Sequence, residues 1–240
     1  MKGAILIIGS LLWDPDKNKE IGFRKRWRDK RLIVKNKIHV KAPIRYGKLS
    51  CNEKNYTMVF SKDCEKENLF GTAYIVPLKN QNIKTYRGIE NQARYLSEAE
   101  GGENNKLCKG NKDKWATIGL LLNPKLNPEI RSEMFKWWGK SLKKDGGLLD
   151  YQDYQVGKEE SILSDKGELL IGWLQPLDKT NIDAVNEFDF ILATCTKPNI
   201  SEYPSAEELT SDILKDKRKY FFLNIENGIT TFQDRNVLNE

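Results

Sequence analysis

The chain has 240 residues, 39% hydrophobic and 31% charged, with 40 basic and 34 acidic side chains and a formal net charge of +6. Six Trp, nine Tyr and nine Phe supply enough bulk for a sizeable core, which excludes a disordered composition. No run approaches the ~20 apolar residues that a membrane-spanning helix needs, and so mild a basic excess does not by itself indicate nucleic acid.

The run Ala4-Ile5-Leu6-Ile7-Ile8 is too short for a signal-peptide core and reads as a buried strand over residues 3–8. Gly9-Ser10 follows it as a tight turn, then Leu11-Leu12-Trp13 and the turn signal Asp14-Pro15-Asp16. Residues 23–41 carry nine Lys or Arg and one acid, Asp29, with apolar residues interleaved. They read as one or two strands with basic side chains on the solvent face. Residues 56–60 and 69–76 are rich in β-branched and aromatic residues and read as strands. Ile83, Tyr86, Ile89, Ala93 and Leu96 recur at spacings of three and four. They predict a helix over 82–99 with one buried face, stopped by Gly101-Gly102. A polar loop spans 103–113. Strands are expected at 116–122, 169–174 and 221–223, and helices at 129–143, 179–193 and 205–217.

Strands arriving both in succession and separated by helices imply an α+β protein with a mixed sheet. A boundary is expected near residues 123–128. It leaves a core over 1–125 and a mostly helical extension over 126–240 packed on it.

Four features could carry chemistry. A glycine at a strand end lets the backbone turn sharply and lets a ligand approach the amides, so the Gly9-Ser10 turn is a candidate anion or carbonyl-oxygen cradle. Its alternative is an ordinary turn. Glu98, Glu100 and Glu103 form an acidic cluster at the end of the predicted helix. A carboxylate drawn into a partly apolar pocket there would have its pKa raised and could act as acid or base; the alternative is a solvated helix end. The basic segment 23–41 could bind phosphates, with Trp27 stacking, or form a solvated face. No nucleic-acid-binding motif accompanies it, so nucleic acid is not the expected partner. The cysteines Cys51, Cys64, Cys108 and Cys195 are scattered. With His39 as the single histidine they make no zinc spacing, and no metal is expected. Cys195, read at a helix end, could be a nucleophile only beside His39, which is expected to point to solvent. Four scattered thiols fit a reducing cytoplasm. The clusters Trp137-Trp138 and Tyr220-Phe221-Phe222 are expected to pack rather than to cage a ligand.

The motif Ile8-Gly9-Ser10-Leu11-Leu12-Trp13, running on into Asp14-Pro15, resembles the Tyr-Gly-Ser signature of the γ-glutamylcyclotransferase-like family, including its glutathione-specific branch. Gly71-Thr72-Ala73-Tyr74 is similar to the family's Gly-x-x-Tyr strand. Leu96-Ser97-Glu98-Ala99-Glu100-Gly101 is similar to its acidic motif, whose glutamate is the catalytic base. Arg24 to Arg31 loosely resembles its basic segment. The resemblance covers residues 4–122, with Ile8 in place of the signature tyrosine and Ser97 in place of an aspartate. It implies a small mixed β-sheet or barrel with packed helices and a C-terminal extension. It implies substrate binding by Gly9, Ser10, Leu11 and Leu12, and Glu100 as the base of a cofactor-free cyclisation that releases 5-oxoproline from a γ-glutamyl amine. The alternative is a non-catalytic module on the same scaffold, binding a small ligand or a protein through residues 130–240.

Overall fold

The computed structural model describes residues 1–15, 23–50, 55–101, 106–109, 115–146, 151–216 and 219–237. The first strand, β1 (Gly3–Ile7), is buried along its whole length, as expected of a continuous apolar run covered on both faces. Helix α1 (Phe23–Arg31) follows, with Arg28, Lys30 and Arg31 in its last turn, where cations complement the helix dipole. Strands β2 (Ile38–Ala42), β3 (Ile44–Leu49) and β4 (Tyr56–Phe60) come next. Short helix α2 (Lys62–Lys66) is capped by Ser61 and leads to β5 (Gly71–Pro77). Helix α3 (Tyr86–Ala99), capped by Thr85, precedes β6 (Cys108–Lys109) and β7 (Ala116–Leu122).

The second half opens with α4 (Pro128–Lys144), capped by Asn127 with proline in its first turn, where the missing N–H costs nothing. Helix α5 (Ile182–Asn186) and strand β8 (Phe190–Thr196) follow. Helices α6 (Ala206–Lys215), α7 (Tyr220–Glu226) and α8 (Asp234–Val237) complete the chain.

Six strands form one sheet in the order β2-β5-β1-β8-β7-β6, and β3 pairs with β4 in a separate ribbon. The β1–β8 pair is parallel and the other pairs are antiparallel, so the protein is α+β with a mixed sheet. Helix α3 packs on β7, β8, α1 and α4, while the β3–β4 ribbon touches β5 and β8. Edge strand β2 is capped by residues 175–177, through Lys41 N–H to Gln175 O and Leu177 N–H to His39 O, both 2.9 Å. A covered edge offers no template for pairing with another chain.

Five sequence expectations change. Residues 23–31 are helical: they hold only Phe, Trp, Asp, Arg and Lys, with none of the β-branched residues that favour strands. Residues 190–196 are a strand, because Phe190 to Ala193 is a short continuous apolar run that periodicity cannot tell from a buried helix. Residues 221–223 lie in α7 rather than a strand. The segment 169–174 makes a single isolated bridge, between Leu169 and Leu163. The boundary expected near residue 125 has no counterpart in the sheet, since β8 from the second half lies between β1 and β7 of the first.

Candidate functional site

Strand β1 delivers the chain to a single helical turn. Leu12 N–H donates to Gly9 O at 3.1 Å, and Trp13 and Asp14 N–H donate to Ser10 O at 3.1 and 2.7 Å. The side chains of Leu11 and Leu12 are buried and anchor the turn in the core. Leu12 N–H is spent on the turn, which leaves the N–H groups of Gly9, Ser10 and Leu11. These meet no acceptor among the described residues.

The turn is gripped from α1. Arg24 donates to Ser10 Oγ at 3.0 Å, to Asp14 Oδ2 at 3.1 Å and to Glu100 Oε2 at 2.9 Å, with a longer bond to Ala99 O at 3.3 Å. One turn further along, Arg28 is buried and donates to Leu11 O at 2.6 Å and Asp14 O at 2.9 Å. Burial, and then the like charge of Arg24, push the Arg28 guanidinium below its usual range. Two arginines at i and i+4 share a helix face, so α1 presents both to the turn.

Glu100 is the C-cap of α3. Gly101 follows in the left-handed region at φ +85°, a conformation that glycine adopts without a Cβ penalty. The reversal sets the carboxylate over the helix end. A carboxylate is unfavourable there, because the C-terminus carries the negative end of the dipole, and Arg24 compensates both the carboxylate and the Ala99 carbonyl. The side chains of Arg24, Asp14 and Glu100 are 18%, 20% and 16% exposed, so a small molecule in solution can reach them. Glu100 therefore faces a cation, and is neither in an apolar pocket nor at a fully solvated helix end. Glu98, on the same helix, is not among the partners of Arg24. Glu103 lies outside the described residues.

The site is roofed by α7. Tyr220 places its hydroxyl over the turn: a Cβ built on Gly9 would lie 2.8 Å from it, so a larger residue there would force the Tyr220 side chain to shift. Burial pushes the Tyr220 hydroxyl up to about 12. Trp13 Nε1–H donates to Asn224 Oδ1 at 2.8 Å, fastening α7 to the turn. The far end of α7 is fixed by Gly228, whose carbonyl bonds His39 Nε2 at 2.7 Å and accepts from Thr72 Oγ1 at 2.8 Å. His39 thus anchors a turn and stacks on Tyr74 with ring centroids 4.5 Å apart, instead of pointing to solvent. Gly71 is required by packing, since a Cβ would lie 2.2 Å from Thr230 O.

The other sequence candidates do not join this site. Cys195 lies in β8, fully buried, and burial pushes its thiol up to about 12. Cys64 is buried and pushed up to about 11; Cys108 is buried; Cys51 lies outside the described residues. Trp138 is core. Sequence reasoning missed Arg24 as a site residue, together with Asp14, Tyr220 and Asn224. Arg24 sits in a run of similar cations, and nothing local marks which one turns inward.

Among the described residues, no group of three or more His, Cys, Asp or Glu side chains could hold a metal ion, and no helix is long and apolar enough to cross a membrane. What the site offers is a guanidinium paired with a carboxylate beside a turn whose N–H groups at Gly9, Ser10 and Leu11 have no backbone acceptor among the described residues. That set complements a zwitterion, with oxygens for the amides and an ammonium for the carboxylate. Comparison with known proteins found no matching family model, no similar curated protein and no similar solved structure.

Proposed function

We propose that the protein is a γ-glutamylcyclotransferase-like enzyme that releases 5-oxoproline from a γ-glutamyl amine. The observation carrying this reading is the Arg24 guanidinium, which holds Ser10 and Glu100, 90 residues apart in sequence, in one partly open site. In this reading Glu100 takes a proton from the substrate's α-amino nitrogen. The freed nitrogen attacks the side-chain amide carbon, forming the new C–N bond of a five-membered ring. The N–H groups of the Gly9–Leu11 turn receive the oxyanion that develops on the carbonyl oxygen. The old C–N bond then breaks, and the departing amine takes up the proton. A base must lie within hydrogen-bond reach of the nitrogen it deprotonates, and Glu100 has the exposure to do so. Tyr220 supplies a hydroxyl above the turn, where Ile8 supplies none.

A second reading, ligand binding without turnover, is favoured by the engagement of Glu100 by Arg24. Incubation with a panel of γ-glutamyl dipeptides and amines separates the two. Release of 5-oxoproline supports the enzyme. Saturable binding with no release supports the binding module.

A further inference from the structure

Tyr220 opens α7 and Asn224 lies one helical turn further on. Residues four apart share a helix face, and both of these meet the Gly9–Asp14 turn, Tyr220 at Gly9 and Asn224 at Trp13. Trp13 Nε1–H donates to Asn224 Oδ1 at 2.8 Å. An indole nitrogen is a donor only, so this bond fixes the amide: its oxygen faces Trp13 and its Nδ2 faces away. Asn224 is 0% exposed, and its Nδ2 meets no acceptor among the described residues. Buried donors are nearly always paired. The nearest use for this one is Tyr220. Burial raises the Tyr220 hydroxyl, while the Asn224 side chain and Met58 N–H in β4 hold it down. Groups that favour a phenolate in this way direct N–H groups at its oxygen.

The hydroxyl they address stands over the turn. It is 2.8 Å from where a Gly9 Cβ would lie, the charges of Glu100 and Arg24 both reach it, and the residue is partly exposed. N–H groups directed at its oxygen leave the hydroxyl's own proton for another acceptor. No described residue accepts it.

We infer that the Tyr220 hydroxyl is a catalytic group that donates to the substrate's γ-carbonyl oxygen at the Gly9–Ser10 turn, with Asn224 as the residue that positions it. This rests on the cyclisation proposed above. When the α-amino nitrogen attacks, the carbonyl electron pair moves onto oxygen, and the Tyr220 O–H tightens its bond to that oxyanion without giving up the proton. The phenol keeps its proton at neutral pH because burial raises it to about 12. As the electron pair returns, the C–N bond to the leaving amine breaks, and the amine takes the proton that Glu100 removed. Catalytic hydrogen bonds are often long before substrate binds and tighten in the transition state.

The test measures kcat and KM for 5-oxoproline release by the full chain, with calorimetric binding of 5-oxoproline alongside. Tyr220→Phe keeps the ring and should lower kcat at least tenfold, in keeping with the loss of one oxyanion donor, while KM changes less than about threefold. Asn224→Asp keeps an acceptor for Trp13 but offers Tyr220 no donor. It should lower kcat in the wild-type background and have no further effect beside Tyr220→Phe. Asn224→Ser, too short to reach both partners, takes its place if the aspartate variant does not fold. If wild type releases no 5-oxoproline, the cyclisation fails and the donor is read from binding. The ring carbonyl of 5-oxoproline is the former γ-carbonyl, so wild type should bind it at least about threefold more tightly than Tyr220→Phe, the worth of one hydrogen bond. The proposal is overturned if Tyr220→Phe keeps kcat within about twofold, if its loss lies in KM alone, or if the Asn224 loss is as large without the Tyr220 hydroxyl. Without turnover, it is overturned if 5-oxoproline binds neither protein or binds both equally. Turnover kept by Tyr220→Phe but lost in Glu100→Gln would leave the cyclisation standing and remove Tyr220 from it.

Discussion

Arg24 donates to four acceptors drawn from the Gly9–Asp14 turn and the end of α3. A guanidinium can do this because its donors lie in a rigid fork; a lysine is a single flexible point charge. Arg24→Lys should therefore fold but lose at least tenfold in 5-oxoproline release. Arg24→Met removes the guanidinium that Asp14 and Glu100 share and should cost about 1–3 kcal/mol in urea unfolding. Stability equal to wild type in Arg24→Met would remove Arg24 as the organiser of the site. Gly9 gives a second test. Gly9→Ala sets a methyl 2.8 Å from the Tyr220 hydroxyl and should cost about 1–2 kcal/mol. Combining it with Tyr220→Phe should recover part of that loss, because the clashing atom is gone. Purely additive losses would show that the hydroxyl does not sit over the turn. The turn and Glu100 were legible as candidates because glycines mark both places. Arg24 and Tyr220 were not, since tertiary packing alone brings them there.

At the scale of elements, legibility followed local chemistry. Helix α3 was readable because its apolar spacing, its Thr85 cap and Gly101 all agree. The same holds for α6, where Ser205 and Glu208 form a reciprocal capping box, with Ser205 N–H to Glu208 Oε2 at 2.9 Å and Glu208 N–H to Ser205 Oγ at 3.2 Å. Ser205→Ala should lower stability by about 1 kcal/mol in urea unfolding, and an unchanged midpoint would count against the cap. Strand β8 and helix α7 were misread because short apolar runs carry no period. Their identity comes from neighbours: Gly119 leaves room for Cys195, whose Sγ would lie 2.7 Å from a Cβ, and α7 is tied at Trp13 and at Gly228.

For the whole molecule, the mixed α+β class was legible from the alternation of elements, but the sheet order was not, because β8 returns from the far end of the chain to lie beside β1. This arrangement buries Cys195 completely and raises its thiol to about 12, with Cys64 raised to about 11. In the unfolded chain both titrate near 8.5. The folded state therefore keeps protons that the unfolded state releases, so this contribution is fully present below about pH 8.5 and is lost as pH rises towards the folded values. Each thiol should add about 1.4 kcal/mol per pH unit to the alkaline loss of stability. Denaturation at pH 8, 9 and 10 should show Cys195→Ala falling less steeply than wild type; identical slopes would mean that the thiol is not buried as described.

The role proposed for Glu100 is decided by measuring 5-oxoproline released from a γ-glutamyl substrate panel by wild type and Glu100→Gln side by side. Wild type should turn over, and the variant should lose at least a hundredfold, consistent with removing a general base, with the fold unchanged. Wild-type turnover that survives Glu100→Gln would contradict it.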